Sequence, residues 1–271
     1  PSQKAERGML AQSMSVQGLL TRSAADLHMS MPTMIKPDAR DPFHAPLPWR
    51  GAPLEAPIRV AFTKTTFDCD LHPEVSLALD AARDALSDAG YIVEEVEPPL
   101  VHEAGMAGYR ALMGEVRALM GDDVKAYGSA TINAIFDEYF EQFPPYEGDD
   151  LLKIMAQRTY YARQWSLFLQ DYPLVLTPFM PTPFFAPDRD AQGPEGVHEV
   201  LGTAHYSFAM NFLGLPAGCL PTRLAELPQG TQPINVQIVG RRWREDLIVD
   251  AMIAVEARVG RMCDALWQRM G

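Results

Sequence analysis

Basic side chains are few in this sequence. Lysine and arginine together number 23 against 35 aspartates and glutamates in 271 residues, a formal net charge of −12 with histidine neutral. A general nucleic-acid binder needs Lys and Arg to displace phosphate counterions, so no nucleic-acid partner is expected. Cysteine is also scarce. Cys69, Cys219 and Cys263 are odd in number and too scattered for a disulfide framework. Such usage fits a reducing compartment, so the expected location is cytoplasmic. No run approaches about 18 uncharged apolar residues, which excludes a helical membrane span and any membrane partner built on one. No basic-then-apolar leader is visible, and the chain opens on Pro1 in polar text through Gly8. That opening reads as a processed chain, a cloned piece or a partial reading frame. Internal repeats, Walker loops, Gly-rich dinucleotide turns and Gly-x-Ser-x-Gly elbows are all missing.

What is present is ordinary globular text, 47% apolar and 21% charged. Ser23 followed by Asp26 resembles a helix start, with Leu27 and Met31 on its inner face. Residues 32–57 hold seven of the 23 prolines and read as an irregular connector. Ile58 to Phe62 reads as a strand. Asp70-Leu71-His72-Pro73 opens a helix, with Pro73 where its missing N–H costs nothing. Val75, Leu79, Ala82, Leu86 and Ala89 make one apolar face, and Gly90 ends the helix in the left-handed region. Tyr91 to Val96 is the next strand, so a parallel βαβ crossover is expected. Residues 103–170 read as helical, broken at Pro144-Pro145. Leu174 to Leu176 is a short buried strand, 183–199 a loop, and Phe208 to Leu213 an apolar helical turn. Leu215–Leu220 and Ile234–Val239 are strand-like, and Asp246 to Val259 is an amphipathic helix. The order predicts an α/β fold with a mixed β-sheet flanked by helices.

Chemistry-bearing residues are scattered. His102-Glu103 opens like a zinc-protease motif, but its fifth position is Met106, and no metal site is expected there. Asp68-Cys69-Asp70-x-His72 groups several metal-ligand types at a strand-to-helix junction, where capping is the ordinary use of such residues. Glu94, Glu95 and Glu97 read as a solvated run that discourages edge pairing. Two Pro/Gly-rich loops at strand ends, Leu176 to Pro183 and Asn211 to Gly218, are either tight packing or ligand-bearing turns.

Gly18 to Leu27 (Gly-Leu-Leu-Thr-Arg-Ser-Ala-Ala-Asp-Leu), preceded by Met14-Ser15-Val16-Gln17, resembles a stretch of the amidase signature family. Pro37-Asp38-Ala39-Arg40-Asp41-Pro42, the βαβ unit opening at His72-Pro73-Glu74-Val75, Thr177-Pro178 to Pro181, the Asn211 to Pro216 block and Pro233 to Gly240 followed by Glu245-Asp246 continue the resemblance in order. The matches run from about residue 7 to 258, and one departure is Leu19, where the family usually has Pro. The resemblance implies an α/β/α amidase-signature fold, with residues 1–271 as the C-terminal portion of a single domain and a helical insert at about 103–170. It implies an amide hydrolase that converts a small carboxamide to acid and ammonia with no cofactor or metal. Family members use a Ser–cis-Ser–Lys triad beside a Gly-rich oxyanion loop. No serine pair flanked by glycines occurs here, and the five lysines (4, 36, 64, 125, 153) lie in none of the matching contexts. No catalytic residue is therefore expected in this chain, which is expected to be inactive alone. Thr177, Phe179, Met180, Asn211 and Leu215 are the expected substrate-pocket wall. Arg22 and Asp26 would brace a turn near the active-site loop, and Phe136, Tyr139 and Tyr160 would cap an apolar substrate or pack the core. The expected partners are an amide substrate and the missing N-terminal half, with homo-oligomerisation left open. Two alternatives stand beside this reading: a noncatalytic binding or regulatory protein that keeps part of the fold, or an amidotransferase A-type subunit. Half a sheet leaves an open edge, so the isolated chain is expected to associate.

Overall fold

The computed structural model describes residues 8–270; the polar opening through Arg7 lies outside them. Five strands form one sheet in the order β2-β1-β3-β5-β4. They are β1 (Arg59–Phe62), β2 (Ile92–Glu95), β3 (Leu174–Pro178), β4 (Ala217–Leu227) and β5 (Gly230–Gly240). β1 pairs parallel with β2 and with β3, while β5 runs antiparallel to both β3 and β4. The sheet is mixed, as expected.

The βαβ unit forms where its residues dictate. Helix α3 (Pro73–Asp88) starts with the His72 imidazole accepting the Glu74 N–H at 3.1 Å. It stops at Gly90, φ +90°, where Gly90 N–H reaches Ser87 O and Tyr91 N–H reaches Leu86 O, both orphan carbonyls of the last turn. Val75, Leu79, Ala82 and Leu86 are buried against the sheet. Each fully buried Leu contributes about 1.5–3 kcal/mol of transfer free energy.

Period-two alternation sorts the strand side chains onto two faces. Val60, Phe62, Leu174, Leu176, Val236 and Ile238 face α3 and α9 (Glu245–Val259). Helix α2 (Ala24–Met34), capped by Ser23 Oγ on the Asp26 N–H at 3.1 Å, lies on α9 on that side. Ala61, Val175 and Val239 face the other way, toward the helices of the 101–213 region. Those are α4 (Val101–Tyr127), α5 (Ala130–Gln142), α6 (Gly148–Asp171) and α8 (His205–Leu213); a four-residue helix, α7 (Pro194–Val197), precedes α8. Short helices α1 (Met9–Met14) and α10 (Met262–Met270) complete the described residues.

Several boundaries differ from expectation. The 183–199 loop contains a 3₁₀ turn at Arg189–Ala191 and α7, then runs into a π turn at His198–Gly202. The two short C-terminal strands are an eleven-residue hairpin pair, with a register shift between Pro221 and Arg223. Pro221 lies on the edge strand at the irregularity, where proline is tolerated. The Glu94–Glu97 run does lie on the edge strand and beyond it. Glu94 is paired with Arg59 at 2.7 Å, and Glu97 is bound by threonines. All three cysteines are unpaired.

Candidate functional site

On the α4/α8 side, the sheet face changes character along its length. The apolar row Ala61, Val175, Val239 gives way one pleat on to Thr63, Thr177 and Gln237. All three are buried, and Gln237 Nε2 donates to Thr177 Oγ1 at 3.3 Å. Thr63 continues the pairing beyond β1, its N–H donating to Leu176 O at 3.1 Å. The Glu97 carboxylate accepts hydroxyl hydrogen bonds from Thr63 and Thr65, each at 2.8 Å. Tyr206, near the start of α8, is buried beside Thr63; burial raises its pKa, so the phenol stays protonated. Its hydroxyl lies beside Thr63 without a well-formed hydrogen bond.

Immediately outside this polar row is a cavity of about 10 Å³, room for one water. Thr66 and Phe67 from the loop after β1 form one side of it. Phe179 and Met180 after β3 form another, and His205 and Tyr206 of α8 a third. The Pro181 carbonyl accepts the His72 N–H at 2.9 Å, which ties the loop after β3 to the cap of α3. Phe67 sits at φ +60°, a left-handed conformation that costs a non-glycine residue about 1–3 kcal/mol. Its ring packs on His102 (5.5 Å between centroids), His205 (5.3 Å) and Tyr206 (5.8 Å). Strain of this kind concentrates at functional sites.

The two imidazoles meet because α4 and α8 approach closely. A Cβ on Gly105 would lie 2.8 Å from the His205 carbonyl oxygen, and one on Gly108 2.3 Å from Phe212 Cβ. His102, in the first turn of α4, and His205, first residue of α8, have ring centroids 4.8 Å apart. His205 is 3% exposed, and neither of its ring nitrogens has a hydrogen-bond partner. Burial foremost, then the His102 imidazole, lowers its pKa from 6.5 to about 4, so the ring is neutral at physiological pH. Asp68 Oδ2 lies 3.7 Å from His102 Nδ1.

Nucleophile chemistry is thin among the described residues. Cys69 is half-buried, and burial, then Asp68 and Asp70, raise its pKa, which keeps it a thiol. Lys64 Nζ donates to Ser76 Oγ at 2.9 Å, but the same ammonium is ion-paired with Asp80 at 2.8 Å. Lys64 thus ties Ser76 and Asp80 of α3 to the strand end.

Comparison with known proteins decides the family. The amidase family pattern matches residues 2–249. This chain belongs to the amidase family. An indoleacetamide hydrolase of Bradyrhizobium diazoefficiens is 34% identical over 270 residues, 99% of this chain and 51% of that protein. A second indoleacetamide hydrolase, of Bradyrhizobium japonicum, is 32% identical over 99% of this chain and 57% of its own length. The chain thus spans about half the length of these curated relatives. Among solved structures, fatty acid amide hydrolase superposes with a TM-score of 0.71 at 17% identity, over 88% of this chain and 47% of its own, a likeness of fold.

The structure divides the residues that the amidase resemblance marks for the substrate pocket. Thr177, Phe179 and Met180 stand together at the rim with the polar row and the cavity. Asn211 and Leu215 stand at the other end of α8, where Leu215 N–H bonds Met210 O, and Pro216 O accepts the Gly240 N–H. Gly240 pairs with Leu174, the far end of β3 from Thr177, so the two groups flank opposite rims of the sheet. Arg22 stacks over Trp267 at 4.5 Å, and Asp26 sits in the first turn of α2, both on the α9 side. Tyr139 packs in a cluster with Tyr109, Phe143 and Val197. Phe136 lines a groove between α4 and α5, and Tyr160 is 48% exposed on α6. Phe136 and Tyr139 meet at 6.4 Å between ring centroids, whereas Tyr160 packs on Tyr161 of its own helix at 5.8 Å.

Sequence reasoning missed His102, His205, Phe67 and Tyr206 as a group. Gly105 and Gly108, three apart on one face of α4, carried the available signal, because small residues at that spacing mark a close helix approach.

Proposed function

We propose that this chain is the C-terminal portion of an amide hydrolase whose N-terminal portion carries the Ser–cis-Ser–Lys triad. One observation carries the reading: 99% of the chain aligns at 34% identity with only about half of an indoleacetamide hydrolase. The threonine–glutamine rim and the Phe179/Met180 cavity then form one wall of the substrate pocket, together with Thr177. In the complete enzyme the serine attacks the carboxamide carbon and ammonia leaves. Water then releases the carboxylic acid, while backbone N–H groups of the N-terminal portion hold the oxyanion. The aromatic and thioether side chains of this wall (Phe67, Phe179, Met180, Tyr206) suit contact with an apolar, aromatic acyl group, such as the arylacetyl group of an arylacetamide, lying outside the one-water cavity itself.

The test is ammonia release from indole-3-acetamide. The purified chain alone should show none. The chain co-expressed with the N-terminal half of the Bradyrhizobium diazoefficiens relative should turn the amide over. Turnover by the chain alone would place a nucleophile within it. A soluble one-to-one complex without activity on any carboxamide would favour the noncatalytic alternative.

A further inference from the structure

Three metal-ligand side chains converge beside the cavity from three separate segments: Asp68 from the loop after β1, His102 from α4 and His205 from α8. Their ligand atoms all lie within 4.8 Å of one another. We propose that Asp68, His102 and His205 form a site for a divalent transition-metal cation such as Zn²⁺.

Three observations support it. The donor set is two imidazoles and one carboxylate, a set that zinc accepts with a further position left to solvent or ligand. His205 is buried to 97% of its surface, yet both ring nitrogens lack partners, and His102 Nδ1 is likewise buried and unbonded. Buried polar atoms are nearly always satisfied, so orphaned nitrogens facing a third donor call for an occupant. The spacing is close to what the ion needs. Bonds of 2.0–2.1 Å set tetrahedral ligands about 3.4 Å apart. Asp68 Oδ2 and His102 Nδ1 are at 3.7 Å, all three ligand atoms lie within 4.8 Å, and the Asp68 side chain is exposed.

The sequence placed Asp68 in a capping cluster with His72 and set His102-Glu103 aside because Met106 follows. The fold separates those roles. His72 caps α3, whereas Asp68 turns to His102, whose second histidine partner comes from α8 and not from its own helix.

The inference is independent of amide hydrolysis and is tested by direct binding. Chelator-treated chain is titrated with ZnCl₂ by calorimetry, with a chromophoric chelator as competitor. One Zn²⁺ per chain is expected. Asp68→Ala, at an exposed position, and His102→Ala should each weaken binding by about tenfold or more, since even outer partners of metal ligands are worth about 10–100-fold. Cys69→Ser should bind as the unaltered chain does. Sub-stoichiometric uptake overturns the proposal, as does unchanged affinity in Asp68→Ala and His102→Ala. Loss of binding in Cys69→Ser would assign the ion to a thiolate and overturn it equally. Melting of each variant without metal separates lost ligands from lost fold.

Discussion

Acid should destabilise this protein through one imidazole before its carboxylates are fully titrated. His205 is 3% exposed with both nitrogens unbonded, and its native pKa is lowered to about 4 from 6.5. Burial is the main cause; His102 and His198 add to it and Asp68 opposes it. Between those two values the unfolded chain binds a proton that the native chain refuses. Stability therefore rises with pH across the window. The contribution is complete above about pH 6.5, shrinks as acid is added, and levels off below pH 4. The gap is worth about 3 kcal/mol in full, of which about 2 kcal/mol is lost between pH 7 and pH 5. The assay is urea unfolding followed by tryptophan fluorescence at both pH values, with a chelator present. His205→Asn is compared with the unaltered chain, so that carboxylates titrating in the same range cancel. The variant should lose about 2 kcal/mol less on acidification. An equal loss in both proteins would refute the claim that His205 is buried neutral.

Helix α4 offers a sign reversal between two glycine-to-alanine changes. Gly121→Ala meets only ordinary contact, Arg117 Cγ at 3.8 Å, and should stabilise by up to about 1 kcal/mol through helix propensity. Gly108→Ala gains the same propensity but forces a methyl to within 2.3 Å of Phe212 Cβ. Overpacking of about 3 kcal/mol leaves it about 2 kcal/mol less stable, a fall in Tm of about 4–8 °C by thermal circular dichroism. A Gly108→Ala protein melting at or above the original would mean that α4 and α8 are not in that contact. The outer edge of β4 has no strand partner among the described residues. The isolated chain should therefore self-associate with rising concentration in analytical ultracentrifugation, and a monodisperse monomer across the range would contradict this.

Local chemistry was legible and long-range convergence was not. His72, Pro73 and Gly90 announce both ends of α3, because caps act within a few residues of themselves. The parallel β1–β2 pairing follows from one connection length. The segment that carries Thr177, Phe179 and Met180 stands out in the sequence because prolines punctuate the strand end. Asn211 and Leu215 read as their companions, but they lead into β4, whose start pairs with the end of β5 on the rim where β3 begins. Asp68, His102 and His205 come from segments far apart in the chain. Only the packing of α8 against the glycines of α4 brings them together, a fact of the fold that no single window displays.

The strand order also sets how the sheet is assembled. β1 and β2 are joined by one crossover, and β4 and β5 by a tight hairpin, so each pair closes a short loop. β3 is the one strand that touches both pairs, with all five of its residues buried. Its contacts close the long loops around α4 to α6 and α7 to α8, and such closures carry their entropy cost before any reward. The sheet is therefore two locally formed halves seamed by one short strand, and the rim that carries Thr63, Thr177 and Gln237 comes into being only when that seam is made.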